Sequence, residues 1–278
     1  MSELPTFTAT RYVQPLREGG SLPAVVETDG GGLFVVKFRG AGQGARALVA
    51  ELIAGLLAAA LSLPTPELAL VSVPPPFGGS EPDPEIQDLL RASHGINVGA
   101  RYLDGAFNFD PSAAGDLVSA ELAARIVWFD AFLTNPDRTH RNPNILIWNR
   151  QPWLIDHGAA LYAHHNWAAV DDARTRTPFP LIEQHVLLDR SGDLEAADAQ
   201  AARALSEHVI QDVVNRVPDT LLATPADQPG AVSTDEARER YVSYLLTRLR
   251  SPRDFVGEAI RAREHVRHVP PRRLSARR

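Results

Sequence analysis

Over the first hundred residues, apolar positions fall in short runs broken by turn residues. RYVQPL (11–16), PAVVET (23–28) and LFVVKF (33–38) are rich in Val, Leu or aromatics, which predicts three short β-strands. REGGS (17–21) and DGGG (29–32) join them, and both are turn sequences. The flexible link RGAGQG leads into ALVAELIAGLLAAAL (47–61). That stretch has strong helix formers and is apolar nearly all round, so it predicts a buried helix. LPTPELALVSV predicts a fourth strand, PPPFGGSEPDPE a loop, IQDLLRAS a short helix and INVGARYL (96–103) a fifth strand.

The pattern changes after Asp104. SAELAARIVWFDAFLTN (119–135) has the periodicity of an amphipathic helix. The polar loop PDRTHRNPN follows, then a strand ILIW, a turn NRQP and a strand WLID (153–156) ending on Asp156. The rest is helix-rich: LIEQHVLL, AADAQAARALSEHVIQDVVNRV and TDEARERYVSYLLTRLRSPRDFVGEAIRARE. The expected class is α+β, with a small β-rich front part (1–104) carrying one main helix and a larger helical back part (105–278).

Composition narrows the chemistry. The 278 residues are 44% hydrophobic and 22% charged, an ordinary globular balance. There are no cysteines, which excludes thiolate nucleophiles, disulfides and cysteine-bound metals. No apolar run approaches the ~20 residues needed to span a bilayer, and the first residues lack the pattern of a signal peptide. A cytoplasmic protein without membrane attachment is expected. The net charge of −6 argues against a nucleic-acid partner. The basic tail at 261–278 reads as a helix end running into a solvated terminus. Lys37 is the sole lysine among 28 basic residues. A lysine kept in so arginine-rich a chain suggests that a compact ammonium is required there.

Several residues form an ordered set. Gly19, Gly20 and Ser21 lie in the turn between the first two strands, and Lys37 on the third. Glu51 lies in the next helix among apolar neighbours, where a lone charge needs a partner. Asp137 sits in the loop after the amphipathic helix, Asn142 and Asn144 precede ILIW, and Asp156 precedes His157-Gly158. Phosphoryl transfer from a nucleotide uses such parts. A glycine-containing loop covers phosphates with backbone N–H groups, and a lysine held by a carboxylate pairs phosphate oxygens. One Asp orients the attacking hydroxyl, while an Asn and a second Asp supply hard oxygens suited to Mg²⁺.

The stretch NPDRTHRNPNILIWNRQPWLIDHGAALY, with REGGSLPAVVE, VVKFRGAGQGARALVAELI and EPDPEIQDLL, resembles the HipA-like kinases over about residues 10–165. This resemblance implies a bilobal protein-kinase-like fold, ATP, Mg²⁺ and γ-phosphate transfer to a hydroxyl, usually Ser or Thr of a protein or of the kinase itself. By position, Lys37 matches the ATP-binding lysine and Glu51 its helix partner. Asp137 matches the catalytic aspartate and Asp156 the metal-binding one. The metal-binding Asn is Asn142 by its interval from Asp137 and Asn144 by its register to the strand; both are kept, with Asn142 slightly preferred. The motifs depart from the usual kinase forms: Asn-Pro-Asp-Arg replaces His-Arg-Asp, Asp-His-Gly replaces Asp-Phe-Gly, and no Ala-Pro-Glu follows.

A small-molecule kinase on the same scaffold and a non-catalytic nucleotide-binding module are the alternatives. Tyr102, Leu103 and Asp104 would form the hinge. Arg138 is expected to neutralise phosphate, to pair with Asp137 or to form a plain loop salt bridge. The histidines at 157, 164 and 165 fit no standard metal spacing, and Trp128, Trp148 and Trp153 are expected in the core.

Overall fold

A computed structural model describes residues 3–16, 22–30, 32–42, 44–75, 77–79, 81–223 and 231–268. The turn bearing Gly19, Gly20 and Ser21 and the tail from 269 onward lie outside the described residues.

The N-terminal part is a five-stranded closed barrel in the order β1-β2-β3-β5-β4. Its strands are β1 (Thr6–Pro15), β2 (Ala24–Thr28), β3 (Gly32–Lys37), β4 (Leu68–Val73) and β5 (Gly95–Arg101). β1 begins five residues earlier than the apolar run suggested and pairs in parallel with β4 through Thr6–Thr8. The other barrel pairings are antiparallel. Val26, Phe34, Val36, Val71 and Leu90 belong to its core.

α1 (Gly44–Ala60) crosses from this barrel to the helical part, packing on β4 and β5 and on α6 and α7 (given below). Cover on several sides explains why the helix is apolar nearly all round. α2 (Pro84–Ala92) follows β4, started by Asp83, whose side chain accepts from Glu85 N.

The C-terminal part opens with a small sheet of β6 (Phe107–Asn108), β7 (Ile145–Trp148) and β8 (Gln151–Leu154). Between β6 and β7 runs α3 (Ala120–Phe132), capped by Ser119 accepting from Leu122 N. The β7–β8 turn is only Asn149-Arg150, both at positive φ (49° and 60°), the geometry of a tight primed hairpin. β8 therefore begins and ends earlier than WLID, and Asp156 stands two residues beyond it at φ 52°.

Next come α4 (Asp172–Thr175), α5 (Leu194–Ala204), α6 (Glu207–Asn215), α7 (Asp219–Leu222), α8 (Thr234–Leu249) and α9 (Asp254–His268). The stretch 196–217 is broken by Leu205 and restarted by Ser206, whose hydroxyl caps α6 by accepting from Val209 N. The stretch 234–264 is likewise split, around Pro252. LIEQHVLL keeps only a 3-10 turn at Pro180–Gln184, because the His185 ring takes the Leu187 N–H that a helix would need.

Arg248 of α8 is buried, and no carboxylate pairs with it among the described residues. Its guanidinium donates to Ala131 O (2.8 Å), Phe132 O (2.7 Å) and Thr175 O (2.7 Å). The open carbonyls at the end of α3 thus meet a cation, which the helix dipole favours. That helix end leads into the loop of Asp137. Among the described residues no helix is long and apolar enough to cross a membrane.

Candidate functional site

Lys37 is the last residue of β3, and Glu51 lies 14 residues on in α1. The Lys37 ammonium donates to Glu51 Oε2 at 2.6 Å and to Asp156 Oδ1 at 2.5 Å, the latter 119 residues away. Strand, helix and hairpin end thus meet at one nitrogen. The Lys37 and Glu51 side chains are 12% and 5% exposed, and Asp156 is 38% exposed. Glu51 Oε2 also accepts the His157 backbone N–H at 2.7 Å. The lone charge in an apolar helix therefore has two partners.

Burial disfavours the Lys37 ammonium, but the charges of Glu51 and Asp156 outweigh it and hold its pKa above the usual lysine range. Burial likewise opposes the Asp156 carboxylate, and the Lys37 charge and hydrogen bond more than offset it, so its pKa lies below the usual range. A Cβ at Gly158 would stand 3.6 Å from Lys37 Nζ. That is ordinary contact, so the steric space does not demand this glycine.

Asp137 forms the second centre. Its backbone N–H donates to Asn135 Oδ1 at 3.1 Å. Its Oδ2 accepts from Asn142 Nδ2 at 2.9 Å and Asn144 Nδ2 at 3.1 Å. Both asparagines therefore converge on Asp137. They differ in setting: Asn142 is exposed and Asn144 is buried. Asn144, at φ 49°, directly precedes β7, and its carbonyl accepts from Ile155 N at 3.1 Å, beside Asp156.

Arg138 corrects the sequence reading. It does not pair with Asp137; it points inward and donates to Asp130 Oδ2 at 2.6 Å, both side chains 0% exposed. Asp130 also accepts from Asn135 Nδ2 (2.8 Å) and His185 Nε2 (2.9 Å). Burial opposes its charge, but Arg138 and His185 hold its pKa well below the carboxylate range. Sequence reasoning missed Asp130, Asn135 and His185. The one available signal was a lone Asp inside the apolar run WFDAFL.

His157 is buried, and burial together with the Arg138 charge pushes its pKa down to about 4. Its Nδ1 accepts from Arg138 Nη2 at 3.2 Å. His164 is also buried, beside Tyr241, whereas His165 is exposed. Trp128 lies in the core as expected. Trp148 and Trp153 instead sit half-buried on the hairpin with ring centroids 5.4 Å apart. Trp148 Nε1 donates to Asp104 O at 2.9 Å, and Tyr102 N donates to Leu33 O at 2.9 Å, so the segment expected as a hinge is tied on both sides.

The profile of the family described as HipA-like kinase matches residues 10–235. The chain belongs to the HipA-like kinase family. Among solved structures, the fold is similar to that of a Helicobacter pylori proinflammatory kinase, CtkA. The two share 13% identity with a TM-score of 0.55, covering 95% of this chain and 99% of that one. No curated protein matches the chain. Membership of the HipA-like kinases makes it a phosphotransferase, with a β-rich N-terminal and a helical C-terminal part.

The donors near Asp156 fit a divalent metal of the Mg²⁺ type. They are the Asp156 carboxylate and the side-chain amide oxygens of Asn142 or Asn144, while the neighbouring His157 ring is turned to Arg138. Among the described residues, no group of three or more His, Asp or Glu could hold an ion alone. Mg²⁺ takes one or two carboxylates and completes its shell with water and phosphate oxygens.

Proposed function

We propose that this chain transfers the γ-phosphate of ATP, with Mg²⁺, to a Ser or Thr hydroxyl of a protein or of itself, in the cytoplasm. The reading takes residues 1–104 and 105–278 as the two lobes of a kinase-like fold with the site between them. The observation that carries it is the Lys37 ammonium, held by Glu51 and in contact with Asp156.

In this reading Glu51 fixes Lys37 at the end of β3, where its ammonium pairs phosphate oxygens of the nucleotide. The Gly19, Gly20 and Ser21 turn covers the phosphates with backbone N–H groups. Asp156, with an amide oxygen of Asn144 or Asn142, holds Mg²⁺. The ion supplies charge neutralisation to the phosphates. The register supports Asn144, whose carbonyl meets the residue preceding Asp156.

Asp137 orients the acceptor hydroxyl and takes its proton as the phosphoryl group arrives. Among the described residues only its Oδ2 is hydrogen-bonded by side chains. Oδ1 is therefore available to the hydroxyl.

Incubation with γ-labelled ATP and Mg²⁺ tests the reading. Wild type is expected to label itself or a protein in a cell lysate, while Asp137→Asn and Lys37→Arg do not. Equal behaviour of all three proteins overturns it. Labelling of small molecules alone would move the acceptor class to the antibiotic-phosphotransferase type.

A further inference from the structure

Next to Asp137, Arg138 lies almost wholly out of solvent, 1% exposed. A surface loop residue has no need of such a position, and burying a guanidinium is costly unless its donors are met. They are met in an instructive way. Nε goes to Asp130 on α3 at 2.6 Å. Nη1 donates to Asn144 O, and to Ile155 O at 3.4 Å. Nη2 donates to His157 Nδ1 at 3.2 Å and reaches Asp130 Oδ1 at 3.5 Å.

The partners are thus the backbone of Asn144 and groups on both residues flanking Asp156. Arg138 itself is joined by one peptide bond to Asp137. Asp130 is fixed in turn by Asn135 and His185, and Arg138 O accepts from Val186 N at 3.0 Å.

We infer that Arg138, clamped by Asp130, is the positioning residue that sets the separation of Asp137 from Asp156. The inference rests on the function proposed above. Arg138 touches no reacting atom. It acts by holding the proton-accepting and metal-holding carboxylates at one spacing, through a planar five-donor fork anchored in the core. A lysine has three donors on a point charge and cannot span these partners. Misplacement of reacting groups by about 1 Å costs on the order of 100-fold in rate.

A double substitution separates positioning from stability. Arg138→Met alone leaves Asp130 as an uncompensated buried charge and should unfold part of the protein. Asp130→Asn with Arg138→Met removes both charges and keeps one of the two acceptor oxygens that Asn135 and His185 use. The full chain carrying both changes is expected to melt within a few degrees of wild type. Its kcat should fall about 100-fold, with the KM for ATP within about threefold, because Lys37 and Glu51 are untouched. Backbone hydrogen exchange over 137–157 should quicken while that of α8 and α9 does not.

Wild-type kcat in the double variant overturns the inference, as does activity lost only in proportion to the unfolded fraction. Unchanged exchange over 137–157 overturns it too. A wild-type protein that never turns over ATP instead refutes the proposed function, and this inference with it.

Discussion

Replacing Lys37 by Met should destabilise the fold as well as end phosphoryl transfer, and the size of the effect follows from burial. Glu51 is 4% exposed and keeps one other partner, the His157 N–H at 2.7 Å. Removing one member of a buried ion pair costs roughly 3–5 kcal/mol. The remaining hydrogen bond and the partial exposure of Asp156 place the expectation at the lower end, about 3 kcal/mol. With an unfolding entropy of about 2.1 cal/mol/K per residue, the 278 residues give about 0.6 kcal/mol/K. The melting temperature should therefore fall by about 5 °C. Adding Glu51→Gln removes the stranded charge and should recover most of that loss while turnover stays absent. Calorimetry of the four proteins of this cycle measures the effect. A Lys37→Met protein that melts within 1 °C of wild type would refute the idea that the pair is a desolvated, mutually dependent unit.

Three further outcomes are expected. Asn144→Ala should raise the half-saturating Mg²⁺ concentration about tenfold and Asn142→Ala by less than threefold, since Asn144 lies in register beside Asp156. The reverse order would assign the ligand to Asn142. His164 is buried with its pKa pushed down to about 3 by burial, then by the neighbouring His165 and Arg46 charges. In the unfolded chain it titrates near 6.5, so the unfolded state binds the extra proton and stability drops as pH falls from about 6.5 towards 3. At pH 5 this amounts to about 2 kcal/mol, and urea titrations of His164→Gln should show a pH dependence shallower by that amount. Arg248→Met strands carbonyls at Ala131, Phe132 and Thr175, and thermal melts should show a loss of about 3 kcal/mol.

Much of this site was legible in linear order. Lys37 stood out as the single lysine, and Glu51 as a charge in an apolar helix. The tight 137–156 block lay on a loop and hairpin, whose geometry is local. The family resemblance supplied the expected roles and extended the reading from residues to a proposed reaction. Element boundaries were less legible. Pro252 and the Ser206 cap divided stretches that read as continuous, and the hairpin turn shrank to Asn149-Arg150 because both residues adopt positive φ. Asn142 and Asn144 could not be separated, since interval favours one and strand register the other.

Local order along the chain singled out the candidate residues, because turn signals, hydrophobic periodicity and isolated charges act over a few neighbours. Only the tertiary structure decided what those charges meet. Lys37 and Asp156 are 119 residues apart, and closure of the barrel against the hairpin joins them. Arg138 reads as a polar loop residue beside an acidic one. It turns inward because Asp130, eight residues earlier, would otherwise be an uncompensated charge in the core. A buried charge must find a partner in three dimensions, and the nearest in sequence was not the one that the packing supplied.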